Sequence, residues 1–359
     1  MGNVLLTLAV GVAVGYLFFK LKVPGGLIVG AIIGVAALNI TLEAASFPGV
    51  ARTVAQITAG SFIGCSVSRE DMKNLPRILK PLGILIAGYL ILNLGAGFLV
   101  FRISQMDLLT SLMCCVPGGM SDMPIIAADL GAKVPYVAVL QFVRMAVGVG
   151  CFPLIISKVA NTRAAVPAAA PQAPAAPSPE AAPAAPAKSP SGDKGPGVIL
   201  LTMAVGCIFG FLGKSLGIPA GTILFSTVSV LVFKLVWGRA FVPRWLKRVA
   251  QILTGCYIGC AFGRQELADL RYLVLPAVLL LTLYLVNCFF MGWLLPRVTH
   301  LNRAEAMLIA TPAGASDMAL ISSDVGVDSP DVCFIQILRM IIVVVFFPNI
   351  VNLVVQLFG

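Results

Sequence analysis

Residues 115–131 read CVPGGMSDMPIIAADLG, and residues 310–326 read ATPAGASDMALISSDVG. The same Pro-Gly-Ser-Asp interruption occurs twice, each time inside an apolar stretch. Proline cannot continue the helical hydrogen-bond ladder, and glycine admits conformations that other residues avoid. A helix running into either stretch must therefore break. Each arm beside the break is about a dozen residues long, whereas a helix needs about 20 to cross the hydrocarbon. Each stretch is thus expected to form a re-entrant hairpin or an interrupted helix.

Working outward, the repeat extends over the whole chain at a constant offset of 195. LLTLAVG at 5–11 matches LLTMAVG at 200–206, and AQITAGSFIGC at 55–65 matches AQILTGCYIGC at 250–260. Between 115–156 and 310–351 there are 17 identities in 42 positions, without a gap. The chain is an internal duplication. Between its halves lies a Pro/Ala-rich run over 160–196, with AVPAAAPQAPAAPSPEAAPAAPAKSP at its heart, which has nothing to bury and reads as an extended, solvated linker. The domains expected are a first membrane repeat at 1–159, the soluble linker at 160–196 and a second membrane repeat at 197–359.

Of the 359 residues, 59% are hydrophobic and 11% charged, and the mean hydropathy is +0.98. Soluble domains carry about a quarter charged residues, so the composition is that of an integral membrane protein. The start, MGNVLLTLAVGVAVGYLFF, lacks a basic leader region and reads as a first transmembrane helix. The net charge of +10 is spread over loops and helix ends, where Lys and Arg set topology, and no nucleic-acid partner is expected. The nine cysteines lie almost entirely within apolar stretches and read as small buried hydrophobes. One histidine, His300, lies in a predicted loop, which leaves no imidazole set for a metal centre. No metal, cofactor or enzymatic activity is expected.

Each half reads as six hydrophobic pieces, in the first near 3–20, 24–42, 50–68, 80–102, 107–131 and 134–157. Loop charges suggest how the halves are oriented. The loop after the third piece holds Arg69, Lys73, Arg77 and Lys80 in the first half, but Arg264 and Arg271 beside Glu266 and Asp269 in the second. After the second piece the bias reverses: Arg52 with Glu43, against Lys234, Arg239, Arg244, Lys247 and Arg248. By the positive-inside rule, matching loops fall on opposite sides of the membrane. The fold expected is an all-α integral membrane protein of two inverted repeats, each about five transmembrane helices plus one broken or re-entrant helix. The termini would lie outside and the linker inside. Six full crossings per half, with parallel repeats, is the alternative.

Inverted repeats with broken helices place binding sites near the midplane, where unwound backbone needs partners that lipid cannot supply. The candidate site residues are Gly118, Gly119, Ser121 and Asp122, with Gly314, Ser316 and Asp317 as their equivalents. Ser-Asp before Met123 and Met318 suits an N-cap, and a helix N-terminus also suits an anion. A carboxylate within a membrane helix is costly and faces a cavity or a partner; these are Asp122, Asp129, Asp317 and Asp324. QFVRM then supplies Gln141 and Arg144, and QILRM supplies Gln336 and Arg339. Asp129–Arg144 and Asp324–Arg339 are candidate ion pairs. Alternatively the arginines meet an anionic substrate, while Asp122 or Asp317 takes up a proton or helps bind a cation. Gln56 and Gln251, near Thr58 and Thr254, either line the site or bond between helices.

The duplicated unit P-[GA]-G-x-S-D-M, then D-x-G, Q-x-x-R-M and Phe-Pro, resembles the duplicated bacterial membrane family called AbrB-type, over about 320 residues of both halves. Members of that family are often labelled ammonia monooxygenase or regulator. The resemblance implies a multi-pass protein of the bacterial inner (cytoplasmic) membrane. The functional expectation is a secondary transporter of a small, anionic solute, driven by a proton or sodium gradient and similar in logic to elevator carriers with paired hairpins. Its partners are then the lipid bilayer, a small-molecule solute and the coupling ion, with a homo-oligomer allowed. The alternative is a membrane-embedded regulator or ligand sensor without transport.

Overall fold

The computed structural model describes residues 2–21, 23, 25–43, 45–67, 69–152, 155–156, 195–218, 220–312 and 329–358. The regular elements among them are all helical. The first half contains α1 (Gly2–Lys20), α2 (Gly26–Leu42), α3 (Gly49–Gly64), the short α4 (Arg69–Lys73) and the long α5 (Leu75–Ile103). The broken unit follows as α6 (Leu108–Cys115) and α7 (Met123–Leu130), and then α8 (Val134–Gly150). The second half repeats the order: α9 (Pro196–Ser215), α10 (Gly221–Trp237), α11 (Arg244–Gly259), α12 (Arg264–Asp269), α13 (Val274–Val298), α14 (Arg303–Ile309) and α15 (Pro330–Phe358). A 3-10 turn, Leu270–Leu273, leads into α13.

Five helical stretches among the described residues are long and apolar enough to cross a membrane: Gly2–Lys20, Leu75–Ile103, Pro196–Ser215, Arg264–Val298 and Asp331–Phe358. Apolar side chains such as Leu5, Ile91, Leu200, Val236 and Val278 stand exposed around the bundle. This is the surface of a membrane-type protein rather than of a water-soluble one.

The duplication reappears in atomic detail. Thr7 and Thr202 each return a hydroxyl hydrogen bond one helical turn back, at 2.7 Å, and each accepts from the backbone N–H of the residue 39 positions on, Ser46 or Phe241, at 3.2 Å. The turns before α2 and α10 both place a residue in the left-handed region, Gly25 (φ 64°) and Ala220 (φ 55°). Local sequence thus rebuilds the same corner twice, even where the second copy must strain an alanine.

Packing between the halves is reciprocal. Backbones close in where small residues allow it: a Cβ added at Gly60 would lie 2.8 Å from the Ile223 carbonyl oxygen, and one at Gly255 2.8 Å from that of Ile28. So α3 packs on α10 and α11 on α2, each across the repeat boundary. Arg52 donates to the Tyr257 hydroxyl at 3.2 Å, while the Lys247 ammonium lies 4.3 Å from the centre of the Phe62 ring. The start of α3 therefore meets the end of α11 and the reverse, and these equivalent helices run antiparallel.

Two ends of the bundle follow from this. At one, Arg69 donates to the Leu235 carbonyl at 2.6 Å and Lys234 to that of Cys65. At the other, Arg264 donates to the Ile40 carbonyl at 3.1 Å and Asn39 to those of Cys260 and Phe262 at 3.2 and 3.0 Å. α9 lies antiparallel to α3, with Gly206 facing Ser61 and Lys214 reaching Thr53, so α9 begins at the first end. α1 lies antiparallel to α11, with Gly11 facing Cys256, and begins at the second. α15 starts beside Arg77 through Asp331 and finishes with Phe358 against Phe98, so it also ends at the second.

Candidate functional site

The break in the first half is built by three elements. α6 starts on Asp107, whose carboxylate accepts from the Thr110 N–H at 2.9 Å, as an N-cap should. It stops at Cys115, after which the backbone of 116–122 is unwound before α7 begins. A Cβ at Gly118 would overlap the Met123 side chain and one at Gly119 the Asp122 carboxylate, so both glycines leave room for the chain to fold back on itself. Gly131, at φ 84°, then closes α7 in the left-handed conformation.

Unwinding frees carbonyls that lipid cannot satisfy. α8 supplies the donors. Gln141 donates to the carbonyls of Val116 and Met113 at 3.0 and 3.4 Å, and Arg144 to that of Val116 at 2.8 Å and to that of Gly118. Both side chains are buried, Arg144 at 4% exposure. A guanidinium set on carbonyls at a helix C-terminus also meets the negative end of the helix dipole. The second half does the same with equivalent residues. Gln336 donates to Leu308 and Ile309 at 2.8 and 3.2 Å, and Arg339 to Thr311 and Ile309 at 2.8 and 3.3 Å.

Each break is also closed from the opposite repeat. Tyr284 of α13 donates to the Cys115 carbonyl at 2.9 Å, and Tyr89 of α5 to the Ala310 carbonyl at 2.8 Å. Both tyrosines are fully buried, and their rings lie 6.3 Å apart. Arg144 stands over the Tyr284 ring at 5.9 Å and Arg339 over the Tyr89 ring at 5.4 Å. The C-terminal ends of α6 and α14 thus meet at one tyrosine pair. The Gln141 and Gln336 amide oxygens, also buried, accept no hydrogen bond among the described residues.

The second arm, α7, lies between α3 and α11, with Ile125 packed against Ala55, Ala250 and Leu253. At its far end Asp129 pairs with Arg52 at 2.9 Å and accepts from Gln56 at 2.5 Å. At its near end Asp122, 8% exposed, faces the charge of Lys247 on α11. α3 thus holds the far end of this short arm.

The family model described as "Transition state regulatory protein AbrB" matches twice, over residues 1–160 and 80–355. The chain belongs to that family. It is 24% identical over 351 residues to "Putative regulator AbrB" of Escherichia coli (strain K12), spanning 94% of this chain and 92% of the relative. It is 23% identical over 311 residues to "Uncharacterized protein YhjN" of Bacillus subtilis (strain 168), spanning 85% of this chain and 78% of the relative. The family match and the apolar helices together make this a membrane-type AbrB-family protein.

Several expectations from sequence take a different form in this AbrB-family chain. Asp129 pairs with Arg52 and not with Arg144, whose guanidinium is directed at backbone carbonyls. Arg144 and Arg339 donate to carbonyls at the ends of α6 and α14, respectively. Asp122 occupies the N-cap position of α7, yet its side chain makes no capping hydrogen bond. Asp122 and Asp129 sit at opposite ends of the arm. Gln56 bonds between helices, and Gln251 is half-buried on α11. Ser121 lies in the turn before α7. Gly314, Ser316, Asp317 and Asp324 lie outside the described residues, as does nearly all of the 160–196 linker. Tyr89, Tyr284, Arg52 and Lys247 are the additions that sequence reasoning passed over.

Proposed function

We propose that this protein is a secondary transporter of a small anionic solute, built as two inverted repeats, with its site between the two broken helices. One observation carries the reading: two helix breaks related by the 195-residue offset converge on the Tyr89–Tyr284 pair, within a frame whose equivalent helices α3 and α11 run antiparallel. Broken helices paired in this way supply unwound backbone away from lipid, which is where such carriers bind solutes. The unpartnered Gln141 and Gln336 amide oxygens mark polar groups that a solute or water would satisfy.

The orientation follows from charge. One end of the bundle carries Arg69, Lys73, Arg77, Lys80, Lys234, Arg239, Arg244, Lys247 and Arg248, and the positive-inside rule assigns that end to the cytoplasm of a bacterial inner membrane. α9 begins at this end, whereas α1 begins and α15 finishes at the other. Five crossings and one broken hairpin per repeat account for this arrangement. Asp122 is the carboxylate proposed to carry coupling, by a proton or sodium ion, because it is buried beside the break and makes no capping bond.

Reconstitution tests the reading. Purified protein in liposomes, given an imposed proton or sodium gradient and a panel of small labelled organic anions, should accumulate at least one of them. Saturable binding with no gradient-driven flux would instead favour a membrane-embedded regulator, the reading that the name of the Escherichia coli relative favours.

A further inference from the structure

The Asp129 carboxylate is held by donors to both of its oxygens. Arg52 Nη2 lies 2.9 Å from Oδ1, Gln56 Nε2 lies 2.5 Å from Oδ2, and the Tyr257 hydroxyl lies 3.2 Å from the other terminal nitrogen of Arg52. The Tyr257 ring also sits under the guanidinium, 5.4 Å from it. A guanidinium over an aromatic ring, with an amide donor alongside, offers a carboxylate one donor for each oxygen.

The two donors, with the Tyr257 that accepts from Arg52, and their occupant belong to different parts of the fold. Arg52 and Gln56 are on α3 and Tyr257 on α11, the antiparallel pair at the repeat boundary. Asp129 is on α7, an arm of 8 residues joined to the rest through the break on one side and left-handed Gly131 on the other. The receptor is part of the frame, and the carboxylate comes from the smaller piece.

A second cation lies close by: the Lys214 ammonium reaches the hydroxyl of Thr53, the residue next to Arg52, at 3.0 Å. Arg52 Nε is buried and donates to no group among the described residues. The cluster is also reachable: the Arg52 and Asp129 side chains are 24% and 18% exposed, at the end of the bundle where both termini lie.

We propose that Arg52, Gln56 and Tyr257 form a receptor for the carboxylate group of a solute, occupied in this conformation by Asp129 and vacated when α7 withdraws. Asp129 is then a resident stand-in, and solute entry and arm movement are alternatives at one set of donors. The inference deepens the transport reading by naming a carboxylate as the recognised group. The receptor itself is testable without flux.

The test uses the full chain in detergent, with sodium acetate as probe and sodium chloride at equal ionic strength as control. Asp129→Ala removes the resident carboxylate. Its melting temperature should fall below that of the parent and then rise saturably, by several degrees, with acetate but not with chloride. The parent, with Asp129 in place, should respond little, and Asp129→Ala/Arg52→Gln should not respond at all. Should Asp129→Ala not survive solubilisation, recovery of monodisperse protein with acetate and not with chloride is the equivalent readout. Failure of acetate to restore either stability or yield overturns the proposal, and so does an equal response in the double variant. That result would leave the transport reading standing, since flux and topology test it separately.

Discussion

Replacing Tyr284 by Phe removes one oxygen from the centre of the molecule and nothing else. The ring, its position 6.3 Å from Tyr89 and its face toward Arg144 at 5.9 Å all remain. What is lost is the 2.9 Å bond to the carbonyl of Cys115, the last residue of α6, and the Arg144 contact at the same hydroxyl. Loss of a partner from a buried acceptor costs about 1–3 kcal/mol in soluble proteins. Within membranes, measured interhelical hydrogen bonds average about 0.6 kcal/mol and reach about 1.7. The freed carbonyl belongs to a buried residue, so we expect the upper part of that membrane range, about 1–1.5 kcal/mol. Tyr284→Ala would add the loss of a fully buried ring and should cost about 3–5 kcal/mol. Reversible unfolding of the purified protein in mixed micelles, titrated with denaturing detergent, would measure both. A second readout is local: Cys114 and Cys115 are buried, so a membrane-permeant maleimide should label them faster in Tyr284→Phe than in the parent. If the Phe variant unfolds within about 0.3 kcal/mol of the parent, below any counted hydrogen bond, and labels at the parent rate, then the first break is not held from the second repeat.

Three further outcomes follow from the same geometry. Arg144→Lys keeps the charge but loses the fork that spans the Val116 and Gly118 carbonyls, and should cost about 2 kcal/mol by the same unfolding assay. Gly255→Ala would place a methyl group 2.6 Å from the Ala31 Cβ, and should destabilise by about 1–3 kcal/mol, whereas Gly83→Ala meets nothing within 4 Å and should be neutral or slightly stabilising. Asp122→Asn should abolish gradient-driven uptake while leaving monodisperse protein, because its side chain makes no capping bond to lose; loss of folded protein instead would make Asp122 a structural residue.

The fold was legible in sequence to an unusual degree, because a duplicated chain states its boundaries twice. LLTLAVG and LLTMAVG marked α1 and α9, and the Pro-Gly pairs located the break between α6 and α7 to within a few residues. Partners were harder to read. Arg144 was the cation inside the next apolar helix after Asp129, yet Arg52, 77 positions upstream, holds it. Sequence proximity failed there because unwound carbonyls compete for the same guanidinium, and within a membrane they have no water to turn to. The tyrosines were missed for a different reason: GYLIL at 88–92 and LYLVN at 283–287 look like ordinary apolar helix. Their signal was the offset itself, since one hydroxyl recurring at the same place in both halves of an apolar helix needs a partner each time. Lys247 belongs with them, as the positional equivalent of Arg52.

The most direct test of the central claim is the side on which three points of the chain lie. Reporter fusions at the N-terminus, within 160–196 and at the C-terminus would fix this in intact cells without knowledge of the solute. Inverted repeats predict both termini outside and the linker in the cytoplasm. All three reporters on one side would mean parallel repeats, and would contradict both the charge argument and the carrier built on it.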